Sequence, residues 1–269
     1  MLEYNIKMFH YEDGTQVRIY KRPVTLDYSK ADLKTLENLE IDLNYEYIGP
    51  FGPVKKEIKK EDLERSAYVS SARSKQMIYG IARSNVWEYF LTLTFDRNIT
   101  DSSNYRFVTK RATEWLNNIK KRYCPDLKYL IVPELHADGV HWHLHGLLAN
   151  CIGLKFTDSG HKSLKGIPIY NLQNWRYGFS TVTPVLDTGR VSSYIIKYIT
   201  KEMATAIKGR QRYWASNNCL RPSDVCEHEH IELSYEELVK KYSDNARYIS
   251  QTTSPDGSQA VTYIELDAD

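Results

Sequence analysis

Cysteine is scarce in this chain: Cys124, Cys151, Cys219 and Cys226 are the only four in 269 residues. So few scattered thiols cannot form a disulfide framework, which excludes a small cross-linked secreted scaffold. No apolar run reaches the ~20 residues that a membrane-spanning helix needs. The start, MLEYNIKMFHYEDG, lacks a basic stretch followed by an apolar one, so no secretory signal and a cytoplasmic location are expected. Internal repeats and low-complexity segments are absent, which excludes a collagen-like or coiled-coil fibre. No G-x-x-x-x-G-K-[ST] phosphate loop occurs. Gly160-His161-Lys162-Ser163 only approaches one, so no helicase motor is expected.

What is present is a folded balance, 42% hydrophobic and 26% charged residues. The net charge of +2 hides a division. Residues 1–70 hold 11 Lys+Arg against 13 Asp+Glu, residues 71–215 hold 21 against 10, and residues 216–269 hold 4 against 11. A basic middle between acidic flanks points to a polyanionic partner, although a solvated basic surface explains the charge equally well. The 21 tyrosines offer stacking surfaces, most of them ordinary core and surface residues.

Alternation around Asp13-Gly14 predicts a hairpin. A short polar helix is expected near Leu33–Leu39, and the breaker cluster Ile48–Pro53 is the best linker. A helical pattern from about Lys59 to Arg83 carries Arg65, Arg73, Lys75 and Arg83. Support beside a sheet is the plainer role for it, and Arg73 and Lys75 are its candidate DNA contacts. Strands are expected at Val86–Phe95, Leu127–Glu134, Val140–Leu148 and Phe179–Val185. A helix is expected over Asp101–Tyr123, capped by Asp101, Ser102 or Ser103, with Phe107, Ala112, Trp115, Leu116 and Ile119 as its apolar face. A loop rich in Gly, Lys and Ser follows to about Lys165, then a short segment near Asn171–Trp175. The last helix is expected from Ser192 to about Ile207. This order predicts an α+β fold, an antiparallel sheet with helices on one side.

His141-Trp142-His143-Leu144-His145-Gly146 is the strongest feature. On a strand, His141, His143 and His145 share one face, with Trp142 and Leu144 on the other. If Asp138-Gly139 is a two-residue turn, Ala137 pairs with Val140, His136 with His141, Leu135 with Trp142 and Glu134 with His143. Opposite residues lie on one face with Cβ atoms roughly 5 Å apart. Glu134, His143 and His145 then form a candidate metal site, and His136 and His141 are spare. Surface histidines on a half-exposed strand are the bland alternative. Two imidazoles and a carboxylate suit Mg²⁺ or Mn²⁺, and also a catalytic Zn²⁺.

Tyr194 and Tyr198, four apart, share a helix face, and Lys197 and Lys201 follow each by three residues. A phenol is a poor nucleophile at its free pKa near 10, and a nearby ammonium or polarised phosphate helps it attack. An amphipathic helix burying Ile195, Ile196 and Ile199 would give the same pattern. Cys219, Cys226, His228 and His230 have no recognisable zinc spacing, and an acidic loop is the preferred reading.

Phe90–Phe95 (FLTLTF), His143-Leu144-His145 and Tyr194–Lys201 (YIIKYITK) stand in the order of the three motifs of the HUH (His-hydrophobic-His) endonucleases. The chain most resembles rolling-circle replication initiators (Rep) of single-stranded DNA phages and related plasmids, in the two-tyrosine subgroup. The resemblance covers about residues 86–215. It implies an RRM-like, ferredoxin-like antiparallel sheet and metal-dependent nicking of one DNA strand at an origin. It makes Tyr194 or Tyr198 the nucleophile that becomes linked to the 5′ phosphate and frees a 3′-OH, and its partner the residue for the second transfer. It matches His143 and His145 to the metal ligands, fits Glu134 as the acidic ligand and matches Lys197 to the motif lysine, with Lys201 its repeat. Thr92 and Thr94 would border the site, and Arg212 lies in a tail resembling that of phage members.

The sequence thus predicts an N-terminal extension with a hairpin (1–58), a nicking domain with its leading helix (59–215) and an acidic C-terminal segment (216–269). The expected partners are single-stranded origin DNA and a helicase and polymerase supplied in trans by host or phage, in a bacterial cytoplasm without membrane attachment. A conjugative relaxase or single-strand transposase would share the chemistry. A non-catalytic RRM-like binding module would form no covalent DNA adduct, and a metal-dependent hydrolase would leave a free 5′ phosphate.

Overall fold

The computed structural model describes residues 2–26, 45–49, 52–55, 74–200, 203, 206–207, 210–253 and 257–268. The expected helix near Leu33–Leu39, the stretch Lys59–Arg73 with Arg65, and the candidate residues Arg73 and Lys201 lie outside them. The described residues fall into two compact units. One draws on Met1–His10, Gly14–Arg65 and Cys226–Asp269, the other on Tyr11–Asp13 and Ser66–Val225.

The first unit holds a sheet in the order β12-β1-β2-β14-β13. Its strands are β1 (Leu2–Tyr11), β2 (Gly14–Leu26), β12 (Cys226–Glu229), β13 (Ala246–Thr253) and β14 (Ala260–Asp267). The β1–β2 hairpin turns at Glu12-Asp13, where the Asp-Gly signal placed it. Helix α4 (Tyr235–Ser243) starts with a capping box, Ser234 and Glu237 satisfying each other's backbone N–H groups. Ile6, Val17, Ile19, Leu238 and Ile264 form the core between helix and sheet. The Ile48–Pro53 cluster expected as a linker instead closes a two-stranded ladder. There β3 (Tyr45–Gly49) meets β4 (Gly52–Lys55), with Ile48 opposite Pro53. A proline tolerates such an outer position because no further strand needs its N–H.

The second unit is built on a sheet in the order β11-β6-β7-β5-β10-β9-β8, with antiparallel pairings. Its strands are β5 (Tyr89–Phe95), β6 (Lys128–Leu135), β7 (Trp142–Ala149), β8 (Phe156–Lys162), β9 (Pro168–Leu172), β10 (Gly178–Pro184) and β11 (Trp214–Ala215). The fold class is α+β, as the sequence predicts. Helix α1 spans residues 74–83. Helix α2 (Tyr105–Arg122) packs Tyr105 against Trp142, 4.6 Å between ring centroids, on the sheet face opposite the histidines. Asn104, not Asp101, Ser102 or Ser103, is its N-cap and accepts from the Arg106 N–H. The Asp101 carboxylate is spent on the Ser103 N–H and hydroxyl. Phe107, expected on the apolar face, is exposed, and Tyr105 and Val108 are buried instead.

Two further expectations change. The Gly/Lys/Ser stretch read as a loop contains β8, an edge strand paired with β9 and bulged between Asp158 and His161. The last helix does not run through to Ile207. Helix α3 (Thr188–Ile195), capped by Asp187, gives way to a 3-10 turn at Ile196–Tyr198, and Ile199 leaves helical geometry at ψ 86°. Among the described residues, no helix is long and apolar enough to cross a membrane.

Candidate active site

The β6–β7 hairpin carries the site. Glu134 stands opposite His143 and Leu135 opposite Trp142, the register that alternation predicts. The tip differs from a two-residue turn. The strands end at Leu135 and Trp142, the His136 N–H donates to the His141 carbonyl, and the Gly139 N–H donates to the His136 carbonyl. The Asp138 carboxylate accepts from the Val140 and His141 N–H groups and contacts His141 Nδ1 at 2.7 Å. These bonds hold its carboxyl well below the usual carboxylate range. Widening the loop symmetrically leaves the pairing of Glu134 with His143 intact.

Neighbouring β5 presents Thr92 opposite His145 and Thr94 opposite His143. Thr92 Oγ1 lies 3.0 Å from His145 Nδ1, and Thr94 Oγ1 lies 3.3 Å from His143 Nδ1. Each threonine thereby fixes a ring and leaves Nε2 pointing onward. His145 Nε2 meets Glu134 Oε2 at 2.6 Å. That bond, first of all, lowers the Glu134 pKa, against a smaller opposing effect of burial. His143 is half-buried and its pKa is lowered, first by burial and then by its histidine neighbours.

Tyr198 closes the site. Its ring lies flat on His145, 3.6 Å between centroids and 6° between planes. Tyr194 meets Tyr198 edge-on at 5.5 Å, and both contact Phe90. The two tyrosines therefore share a side although they do not share one continuous α-helix. They differ in surroundings. Burial pushes the Tyr198 phenol strongly up, helped by its bond to Tyr194 and by the Glu134 charge. Tyr194 is 46% exposed, with Lys197 Nζ 5.2 Å from its ring centroid. Ile195 and Ile199 are fully buried, as the amphipathic pattern requires, and Ile196 only partly.

Sequence reasoning missed Phe90 and the role of His136. Phe90 lies under both tyrosines, and its place two residues before Thr92 on the same strand face was the available signal. His136, set aside as spare, stacks on His143 at 4.9 Å and 16°. Lys75 is exposed on α1. Arg212 is buried, donates to Ser74 Oγ at 3.4 Å, and is not among the residues gathered here. Cys219 is buried beside Ser216 and Tyr129, whereas Cys226 and His228 sit on β12, a strand where an acidic loop was expected.

Among the described residues, no group of three or more His, Cys, Asp or Glu side chains is already spread around an ion position. Glu134 and His145 contact each other directly, so their donors face one another rather than a common centre. The donor chemistry nevertheless fits a divalent cation. Both Nδ1 atoms have hydroxyl partners, which permits the tautomer with a free Nε2, and the carboxylate lies alongside.

No curated protein and no solved structure gives a significant match to this chain. Residues 88–203, less than half of the chain but the stretch from the start of β5 past both tyrosines, match the model of a family described as Replication-associated protein ORF2.

Proposed function

We propose that this protein is a rolling-circle replication initiator that nicks one DNA strand at an origin and later rejoins it. The family match over residues 88–203 supports the replication role. The observation that carries the chemistry is the flat packing of Tyr198 on His145, which in turn is bonded to Glu134. A phenol, two imidazoles and a carboxylate in contact are the parts needed for tyrosine attack on a phosphodiester.

In this reading a tyrosine Oη forms the new bond to phosphorus and the bond to the 3′ oxygen breaks. That oxygen takes a proton and becomes the 3′-OH that primes a polymerase supplied in trans. His143, His145 and Glu134 would hold Mg²⁺ or Mn²⁺, which when bound supplies Lewis-acid polarisation of the phosphate. For that, the Nε2 proton that His145 shares with Glu134 must move, and Thr92 is placed to accept one from Nδ1. Thr92 and Thr94 orient the rings. Lys197 beside the Tyr194 ring, with Lys201 as its repeat, offsets phenolate and phosphate charge. Lys75, Arg73 and Arg212 are proposed to supply charge toward DNA; for Arg212, buried beside Ser74, that action is indirect.

The test is incubation with end-labelled single-stranded origin DNA with and without Mn²⁺. Metal-dependent cleavage that leaves the 5′ end bound to protein supports initiation. A free 5′ phosphate would instead mean hydrolysis by water, and binding without cleavage would mean a recognition module.

A further inference from the structure

We propose that Phe179 is the platform on which a DNA base adjoining the scissile phosphate stacks. The inference rests on the nicking reading and names a substrate contact within it.

One row of residues crosses four strands. Glu134 on β6 is opposite His143 on β7, His143 is opposite Thr94 on β5, and Thr94 is opposite Phe179 on β10. Directly opposite residues share a sheet face, so Phe179 faces the same side as the histidines. Two strand spacings of about 4.8 Å each separate its backbone from that of His143. Gly178 fixes this placement. It has φ +150°, and a Cβ there would meet the Thr94 carbonyl oxygen at 2.2 Å and the Asp96 nitrogen at 2.4 Å. Only glycine lets β10 begin this close to β5.

The face is capped at one end and open at the other. Phe90, opposite Thr183, lies beneath Tyr194 and Tyr198. Phe179 is 71% exposed, and the next residue on its face, Thr181, is small and exposed. A flat apolar ring left open in the row that carries the ligand residues suits the π-face of a base. Such stacking tolerates any base, so Phe179 would position the strand and leave sequence choice to other contacts.

The probe is a short oligothymidylate carrying one 2-aminopurine, scanned along its length, with binding measured in EDTA so that no cleavage occurs. Wild-type protein should quench the probe at one or two adjoining positions. Phe179→Ala should remove that quenching and weaken binding roughly 5- to 150-fold. Phe179→Trp should restore both, and neither change should move the melting temperature of so exposed a position. Wild-type affinity in Phe179→Ala, or no binding of the probe by the wild type, overturns the proposal. Phe179-dependent quenching in a protein that forms no covalent DNA adduct would keep the platform and sink the nicking reading.

Discussion

At the scale of single residues, His143 and His145 differ in what surrounds them. His145 is buried between Thr92, Glu134 and Tyr198, while His143 is only half-buried. Both His→Ala changes should abolish cleavage. His145→Ala should also cost about 1–3 kcal/mol of stability, because it leaves a buried hydrogen-bond partner unmet. His143→Ala should cost less, and denaturant melts of the two variants check the difference. Glu134 sets an acid limb. Its folded pKa lies below the ordinary 4.5, so it favours folding above that value and loses this contribution as pH falls further. Glu134→Gln should flatten the stability profile below about pH 4.5. An unchanged acid limb would remove Glu134 from the His145 pairing.

At the scale of elements, Gly146 shows how tightly β7 is held. A Cβ there would meet Ile131 Cδ1 at 2.3 Å and the Leu130 carbonyl oxygen at 2.9 Å. Gly146→Ala should therefore destabilise by about 1–3 kcal/mol, as overpacking does, and disturb the adjacent His145. A neutral effect in thermal melts would show that the sheet opens more easily than its packing implies. The hairpin register and the threonine partners were legible because strand alternation has a period of two and opposite residues share a face. The β8 strand was not legible. It lies at a sheet edge with most of its residues exposed, so it lacks the alternation that marks a half-buried strand. The end of α3 was hidden for another reason. The run Tyr194–Thr200 reads as helical, but docking Tyr198 on His145 and Phe90 outweighs local propensity and tightens the chain into a 3-10 turn. The Asn104 cap was missed because Asp101 and Ser103 satisfy each other in a preceding turn.

At the scale of the whole molecule, charge and chain ends matter. Residues 71–215 carry 21 Lys+Arg against 10 Asp+Glu. Binding to single-stranded DNA should weaken steeply with salt as phosphates release counterions, and a flat dependence in fluorescence titrations would contradict a broad phosphate footprint. Strands β12 and β14 pair with β1 and β2, so deleting residues 226–269 should leave two strand edges open and give an aggregating protein, checked by light scattering. The acidic composition of that segment carried no sign of this pairing, because partners more than 200 residues apart leave no local pattern. The central claim is that a tyrosine of this chain becomes joined to DNA. The most direct measurement is a denaturing gel of labelled origin single strand incubated with Mn²⁺ and either wild-type protein, Tyr194→Phe, Tyr198→Phe or the double variant. The account predicts an adduct with the wild type, some cleavage by each single variant and no adduct with the double variant, whereas an adduct formed without either phenol would contradict it.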